Sequence, residues 1–366
     1  MIINFNVAVP VLIFVLTFAA IFSGKLHRTI ASISGAVLML VAGDLMGFYS
    51  HEEAIGAVNF GTLELLTGMM IIVGVLKRKG FFEYISIRIA KKTGNSQFYL
   101  FISLCGLTAL SSAILDNVTT IVLVAPMTLA ITEVLGVSPV PYLIGEAVTS
   151  ITGGMATLVG DPPNIIIGSA ANLSFNDFLM HLGPVSVSTW VFSMLIFYLL
   201  FRFRSIPSAK VDSLQEMSAE KAVDDWRSVK KILGIIGMVV VLYLVHSYIG
   251  IPPGIVALIG AATALISLRP DIQQALGDVE WDAIAFLASL FVVVGGLEAV
   301  GALGKAADFT SNILSGHAIL APLIILWLAG IFSALVDNIP FTVAMIPIVT
   351  QLNLTMGGNY LWWGLA

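Results

Sequence analysis

Long apolar runs, interrupted by short polar patches, dominate this chain. Val7 to Phe22, Ile30 to Phe48, Leu63 to Leu76, Val185 to Phe201, Ile232 to Ile249 and Ile284 to Val300 are apolar almost throughout. Crossing the ~30 Å core of a bilayer as α-helix takes ~20 such residues, so each run predicts a membrane span. Two other apolar stretches carry a polar patch at their centre. Gln97 to Leu115 is apolar, Asp116 to Thr120 is polar, and Ile121 to Ile131 is apolar again. Each arm is short for a full crossing, so 97–134 reads as a re-entrant hairpin with its polar tip at mid-membrane. Irregular backbone is tolerated at that depth only where protein buries it or it lines a cavity. Ile319 to Leu352 repeats the pattern and predicts a second hairpin over 318–354. Phe81 to Lys92 is too charged to be buried and reads as an amphipathic helix along the interface, with residues 303–314 as its counterpart.

A different interruption lies in the apolar stretch 142–172. It runs Gly153-Gly154-Met155-Ala156-Thr157-Leu158-Val159-Gly160-Asp161-Pro162-Pro163-Asn164. Two prolines remove two backbone donors and stop a helix from continuing, and glycines permit positive φ and close approach. The pattern predicts an unwound turn between two half-helices. Broken helices of this kind mark the binding sites of secondary transporters.

The two polar tips are related. Asp116-Asn117 and Pro126 recur as Asp337-Asn338 and Pro347, 221 residues later. At the same offset Ile71-Ile72-Val73-Gly74 meets Val292-Val293-Val294-Gly295, Gly80 meets Gly301, and Ser112-Ala113 meets Ser333-Ala334. An ungapped match of Gly, Pro and Asp-Asn is not what chance gives among apolar helices. The chain therefore divides into a first repeat, 1–203 (hairpin 97–134, broken helix 142–172, span 185–201), a polar linker, 204–228, and a second repeat, 229–366, with its hairpin at 318–354. Adding the offset to the glycine-proline break points to position 381, beyond Ala366, so the second broken helix is expected outside this sequence.

Composition strengthens the membrane reading. The 366 residues are 58% hydrophobic and 11% charged, with a mean hydropathy of +0.99, against roughly 25% charged residues in a soluble domain. The net charge of −5 is small and spread over loops, and no basic patch interleaved with aromatics suggests nucleic acid. Cys105 is the single cysteine, so no intrachain disulfide forms. Sixteen of the 17 lysines and arginines fall in a few loops, 25–28, 77–92, 202–231 and 269, leaving only Lys305 elsewhere. The positive-inside rule puts those loops and the linker in the cytoplasm and the N-terminus outside. The repeats then enter the membrane in opposite senses, the first hairpin from the cytoplasmic side and the second from outside, with a prokaryotic inner (plasma) membrane as the expected location of this multi-pass protein. The fold class expected is all-α and polytopic, an inverted repeat with re-entrant hairpins and broken helices.

SAILDNVTT followed by GGMATLVGDPPN resembles the ion transporter superfamily, and within it the arsenite permeases and the melanosomal P protein. The resemblance extends over the whole chain. It implies two hairpins and two broken helices in a mobile transport domain, alternating access of elevator type, a homodimer, and room for an ATPase subunit as partner. Dicarboxylate relatives carry Ser-Asn-Thr at the hairpin tip, where this chain has Asp-Asn. The second tip continues Ile339-Pro340-Phe341, so the hydroxyls of Thr119 and Thr120 have no positional equivalents there.

The candidate substrate- or ion-binding residues are Asp116, Asn117, Thr119, Thr120, Thr157, Gly160, Asp161, Asn164, Asp337 and Asn338. An ionisable residue within a membrane segment is costly and by default functional, and burial favours the neutral form of a carboxylate. Asp116, Glu146, Asp161 and Asp337 are therefore the candidates for proton coupling, whereas Glu64 and Glu298 sit on ordinary spans. The two tips are expected to meet in one solvated pocket. No lysine, arginine or histidine accompanies these residues, and the five histidines fall near span ends, so neither a metal nor another cofactor is expected. A multivalent anion would meet carboxylates without a fixed cation, which a low dielectric penalises. Arsenite and antimonite, neutral trihydroxides at neutral pH, fit better. The reading is an arsenite or antimonite efflux permease exchanging its substrate for protons. A sodium–proton antiporter or another anion permease of the same superfamily remains open, as does a passive channel. An intramembrane aspartyl protease needs Tyr-Asp and Gly-x-Gly-Asp. Leu115-Asp116 lacks the tyrosine and Leu158-Val159-Gly160-Asp161 lacks the first glycine.

Overall fold

The computed structural model describes residues 5–201, 203, 205–314, 320–335, 338–356 and 360–366. Among them the chain forms helices joined by short turns. The first eight are α1 (Phe5–Phe22), α2 (Arg28–Met46), α3 (His51–Ala57), α4 (Phe60–Lys77), α5 (Phe81–Thr93), α6 (Gln97–Ser112), α7 (Asn117–Leu135) and α8 (Val140–Gly154). Then follow α9 (Pro162–Ala171), α10 (Phe175–Leu200) and α11 (Ser208–Glu216), with a 3-10 turn at Ala219–Ala222. The rest comprises α12 (Trp226–Ile249), α13 (Pro253–Leu268), α14 (Ile272–Gly277), α15 (Trp281–Ala299), α16 (Ala302–Leu314), α17 (Leu320–Leu335), α18 (Asn338–Met356) and α19 (Tyr360–Leu365).

Part of the second series repeats the first at the offset seen in the sequence. Helices α3, α4, α5 and α7 each begin 221 residues before α14, α15, α16 and α18. Seven helices (α1, α2, α4, α7, α10, α12 and α15) are long and apolar enough to cross a membrane. Their exposed faces carry Leu12, Leu16, Leu38, Leu45, Phe192 and Leu199, among other large apolar side chains. Contiguous exposed apolar surface of this kind needs lipid or protein to cover it. The arms of the first hairpin, α6 and α7, have 16 and 19 residues. The second arm is thus longer than its sequence pattern implied, because helix continues through the polar start at Asn117 and past Pro126.

The chain packs as two compact units, each drawing on both halves of the sequence. One comprises residues 1–63, 165–173 and 280–366, and the other 64–164 and 174–279. In the first unit α2 lies against α1 and α15, with Met39 fully buried and Gly296 opposite it. In the second, α8 is the central helix, flanked by α6, α7 and α10. Small residues allow this approach: a Cβ on Gly145 would lie 2.8 Å from Cys105 Sγ, and one on Gly153 would lie 2.6 Å from Ala109 Cα.

The polar linker is folded, not extended. Ile206, Leu214, Ala219 and Val223 are buried, and α11 packs on α5 and α7. The Ile206 amide donates to the Asn95 carbonyl (2.7 Å), and Lys91 Nζ donates to the Gln215 carbonyl (2.9 Å). Its alternation of polar and apolar positions covers the base of the first hairpin. Arg78, just past α4, similarly holds Asp278 (2.5 Å) and Gln274 (2.8 Å) in the same unit.

Candidate functional site

The hairpin tip and the break in the α8–α9 helix lie against one another within the second unit. Helix α6 ends at Ser112 and α7 starts at Asn117; α8 ends at Gly154 and α9 starts at Pro162. The unwound segments are therefore 113–116 and 155–161. Pro162 and Pro163 occupy the first turn of α9, where their missing N–H groups cost nothing. Upstream of them helix cannot continue.

Two hydrogen bonds and one close backbone approach join the hairpin to the break. The Ser112 hydroxyl donates to the Ser150 carbonyl (2.6 Å). The Thr157 hydroxyl donates to the Ala113 carbonyl (2.6 Å) and accepts from the Gly160 N–H (3.1 Å). Gly160 itself lies against the backbones of Gly154 and Ser112: a Cβ there would come 2.7 Å from the Ser112 carbonyl oxygen. None of Gly153, Gly154 and Gly160 has positive φ. Of the two uses of glycine anticipated, only close approach is made.

Asn164 closes the break from the other side. Its amide nitrogen donates to the Thr157 carbonyl at 2.9 Å, with the Gly154 and Met155 carbonyls at 3.4 Å. The carbonyls freed where α8 ends thus gain a side-chain donor, as buried backbone groups require. Asp161 follows Gly160 directly and is 8% exposed.

Asp116 is half-buried and serves as the N-cap of α7, its Oδ1 accepting from the Thr119 N–H (2.8 Å). The buried Thr120 hydroxyl donates to the Asp116 carbonyl (2.8 Å). Asn117 and Thr119 are half-buried in the first turn. Asp116 follows the Ala113 contact by three residues and Asp161 follows Gly160 by one, so both acids belong to the two unwound segments that these contacts join. An apolar cavity of about 170 Å³ adjoins their junction, lined by Ala113, Ile114, Thr157, Val159, Phe175 and Tyr243 among others.

Glu146 sits eight residues before Gly154 and is fully buried. The Thr128 hydroxyl of α7 donates to its Oε1, while Oε2 has no hydrogen-bond partner. Sequence reasoning missed Thr128, Ser112 and Ser150. Serine and threonine in apolar helices usually return their hydroxyls to their own backbone; Ser112 recurs as Ser333 in the repeat, but nothing in the sequence marks any of the three as a contact.

Of the remaining candidates, Asn338 and Glu298 belong to the first unit and Glu64 opens the second. Asp337 lies outside the described residues. Asn338 opens α18, half-buried, and its carbonyl accepts from the Thr342 hydroxyl (2.9 Å). A hydroxyl thus caps this turn as Thr120 does in α7, from one residue further along. Glu298, at the end of α15, is exposed, and Glu64 is half-buried on α4.

Apolar spans, a hairpin with a polar tip and a broken helix lying against it define a polytopic membrane transporter. The chain belongs to the CitMHS family, whose model, described as a citrate transporter, matches residues 18–366. It is 35% identical to a 46 kDa membrane protein of Mycobacterium leprae over 98% of this chain and 85% of that one. It is 37% identical to an uncharacterised transporter of Mycobacterium tuberculosis, again over 98% and 85%. A third relative, an uncharacterised transporter of Synechocystis, is 30% identical over 94% of this chain and 77% of its own. The narrower likeness to the arsenite permeases is an expectation within this membership.

Proposed function

We propose that this protein is a secondary transporter exchanging a small hydroxylated inorganic solute, arsenite or antimonite, for protons by alternating access. The observation that carries the reading is the junction of the first hairpin tip with the broken helix. Asp116 and Asp161 belong to the two segments joined there, and residues 112–120 and 150–164 contain no lysine, arginine or histidine. Such a site offers acceptors and donors to a neutral trihydroxide and repels a bare anion. Asn117, Thr119, Thr120, Thr157, Gly160 and Asn164 shape it. Asp337 and Asn338 are proposed to act at the corresponding point of the second repeat. Asp116, Glu146, Asp161 and Asp337 are the candidates for carrying the exchanged proton.

The description of the family as citrate transporters favours a second reading. Free citrate would meet the Asp116 and Asp161 carboxylates without a fixed cation, so it would have to travel with a cation that neutralises it. Sodium–proton exchange is a third outcome of the same experiment. The full chain is reconstituted into vesicles and offered arsenite, antimonite, sodium, and citrate with and without a divalent cation, under an imposed pH gradient. Accumulation of arsenite or antimonite that collapses with the gradient is expected. Uptake of citrate or sodium alone would overturn the assignment of substrate.

A further inference from the structure

Glu146 is separate from the turn where the two acids lie. By helix rise it is about 12 Å along α8 from the break, and its partner Thr128 stands twelve residues past Asp116 on α7. The residue is wholly enclosed by the seam of α6, α7 and α8. Among the described residues, other hydroxyls of these helices donate to backbone carbonyls instead. Thr108 of α6 donates to the Leu104 carbonyl (2.9 Å), Thr132 of α7 to the Thr128 carbonyl (2.7 Å), and Thr149 of α8 to the Gly145 carbonyl (2.8 Å). From α10, Ser186 donates to the Thr152 carbonyl, and Trp190 Nε1 is buried with no partner.

The titratable neighbours are Cys105 on α6 and Tyr142 on α8, whose hydroxyl donates to the Gln97 carbonyl (3.3 Å). Neither supplies positive charge. Lys210 of α11, packed over α7, is 3.8 Å from the Cβ position of Gly136 at the far end of that helix. An ionised carboxylate in this seam would have one hydroxyl donor and no counter-ion, an arrangement that costs several kcal/mol. The carboxylic acid carries no charge that needs a counter-ion, and its carbonyl oxygen, Oε1, accepts from the Thr128 hydroxyl.

We propose that Glu146 carries the exchanged proton at a site of its own, distinct from the substrate turn, and that Thr128 positions it. With the seam closed, as in this structure, the group is the neutral acid. When the hairpin shifts against α8, water reaches the seam. The O–H bond then breaks, the proton leaves to solvent and the carboxylate remains until a proton returns from the opposite side. The same two helices carry both sites: α7 begins at the tip and α8 ends at the break, so a shift of the hairpin that alters one alters the other. This inference rests on the reading of the protein as a proton-coupled exchanger.

The test uses the full chain in vesicles, with Glu146→Gln, Thr128→Val and Thr128→Ser, and radiolabelled arsenite as the probe. In Glu146→Gln the ratio of pH-driven uptake to counterflow is expected to fall to that of vesicles without a gradient. Thr128→Ser should behave as wild type, and Thr128→Val should displace the pH profile of uptake. Infrared difference spectra between acid and alkaline buffer, which require no substrate, should show a carboxylic-acid carbonyl band that Glu146→Gln removes. A band unchanged in that variant, or pH-driven uptake retained by it, would overturn the proposal. Wild-type vesicles that respond to no solute under the gradient would instead defeat the exchanger reading, and the infrared band would still report on Glu146.

Discussion

Asp116 illustrates how one side chain can meet two demands. Its carboxylate accepts from the Thr119 N–H at the start of α7, which is ordinary helix capping, yet it is also a half-buried charge at the tip of a hairpin in an apolar chain. Asparagine caps about as well as aspartate, whereas alanine at an N-cap costs ~0.5–2 kcal/mol. Asp116→Asn is therefore expected to melt near the wild-type temperature in detergent and to lose proton-driven flux. Asp116→Ala should lose both flux and stability. Wild-type flux in the asparagine variant would reduce Asp116 to its capping role. At this scale the sequence was informative where a rare residue stood in an apolar background: Asp116, Asp161, Asn164 and the glycines were all visible. The hydroxyls that join the two turns were not. Thr157 stands out only because it lies in the break, while Ser112, Thr128 and Ser150 look like any helical serine or threonine.

At the scale of elements, close approach of backbones organises the second unit. Gly160 meets the Gly154 and Ser112 backbones, which cannot yield as the end of a flexible side chain can. Gly160→Ala is expected to destabilise the protein by ~1–3 kcal/mol through overpacking, lowering its melting temperature and its transport rate. Gly237→Ala is the control. It lies within α12 with nothing within 4 Å of a Cβ, and removing a glycine from a helix interior is worth up to ~1 kcal/mol. Equal melting temperatures for the two variants would contradict the close packing of the turn. The hairpin and the break were legible because Gly, Pro and Asp interrupt an apolar run at positions a continuous helix cannot accept. The folded state of the linker was not legible, since its polar composition says nothing of which few apolar residues find partners on α5 and α7.

For the whole molecule, the distribution of basic residues predicts an orientation that can be measured directly. Cys105 is fully buried, so single cysteines can be introduced without removing it. Glu52→Cys, on the exposed face of α3, is expected to react with a membrane-impermeant maleimide in intact cells. Glu216→Cys, exposed at the end of α11, should react only after lysis. The reverse pattern would invert the orientation and with it the assignment of sidedness to the two hairpins. The hydrophobic pattern determined that the chain is helical and spans a membrane, because bilayer thickness and backbone satisfaction leave few alternatives, and the Gly, Pro and Asp-Asn positions that interrupt it determined that its elements recur at a fixed offset. Only the tertiary structure decided that Gly160 is a point of contact rather than a flexible joint, that the linker packs beneath the first hairpin, and that Thr128 stands opposite Glu146. Those outcomes depend on which residues distant in sequence come within a few ångströms, and helical periodicity carries no record of that.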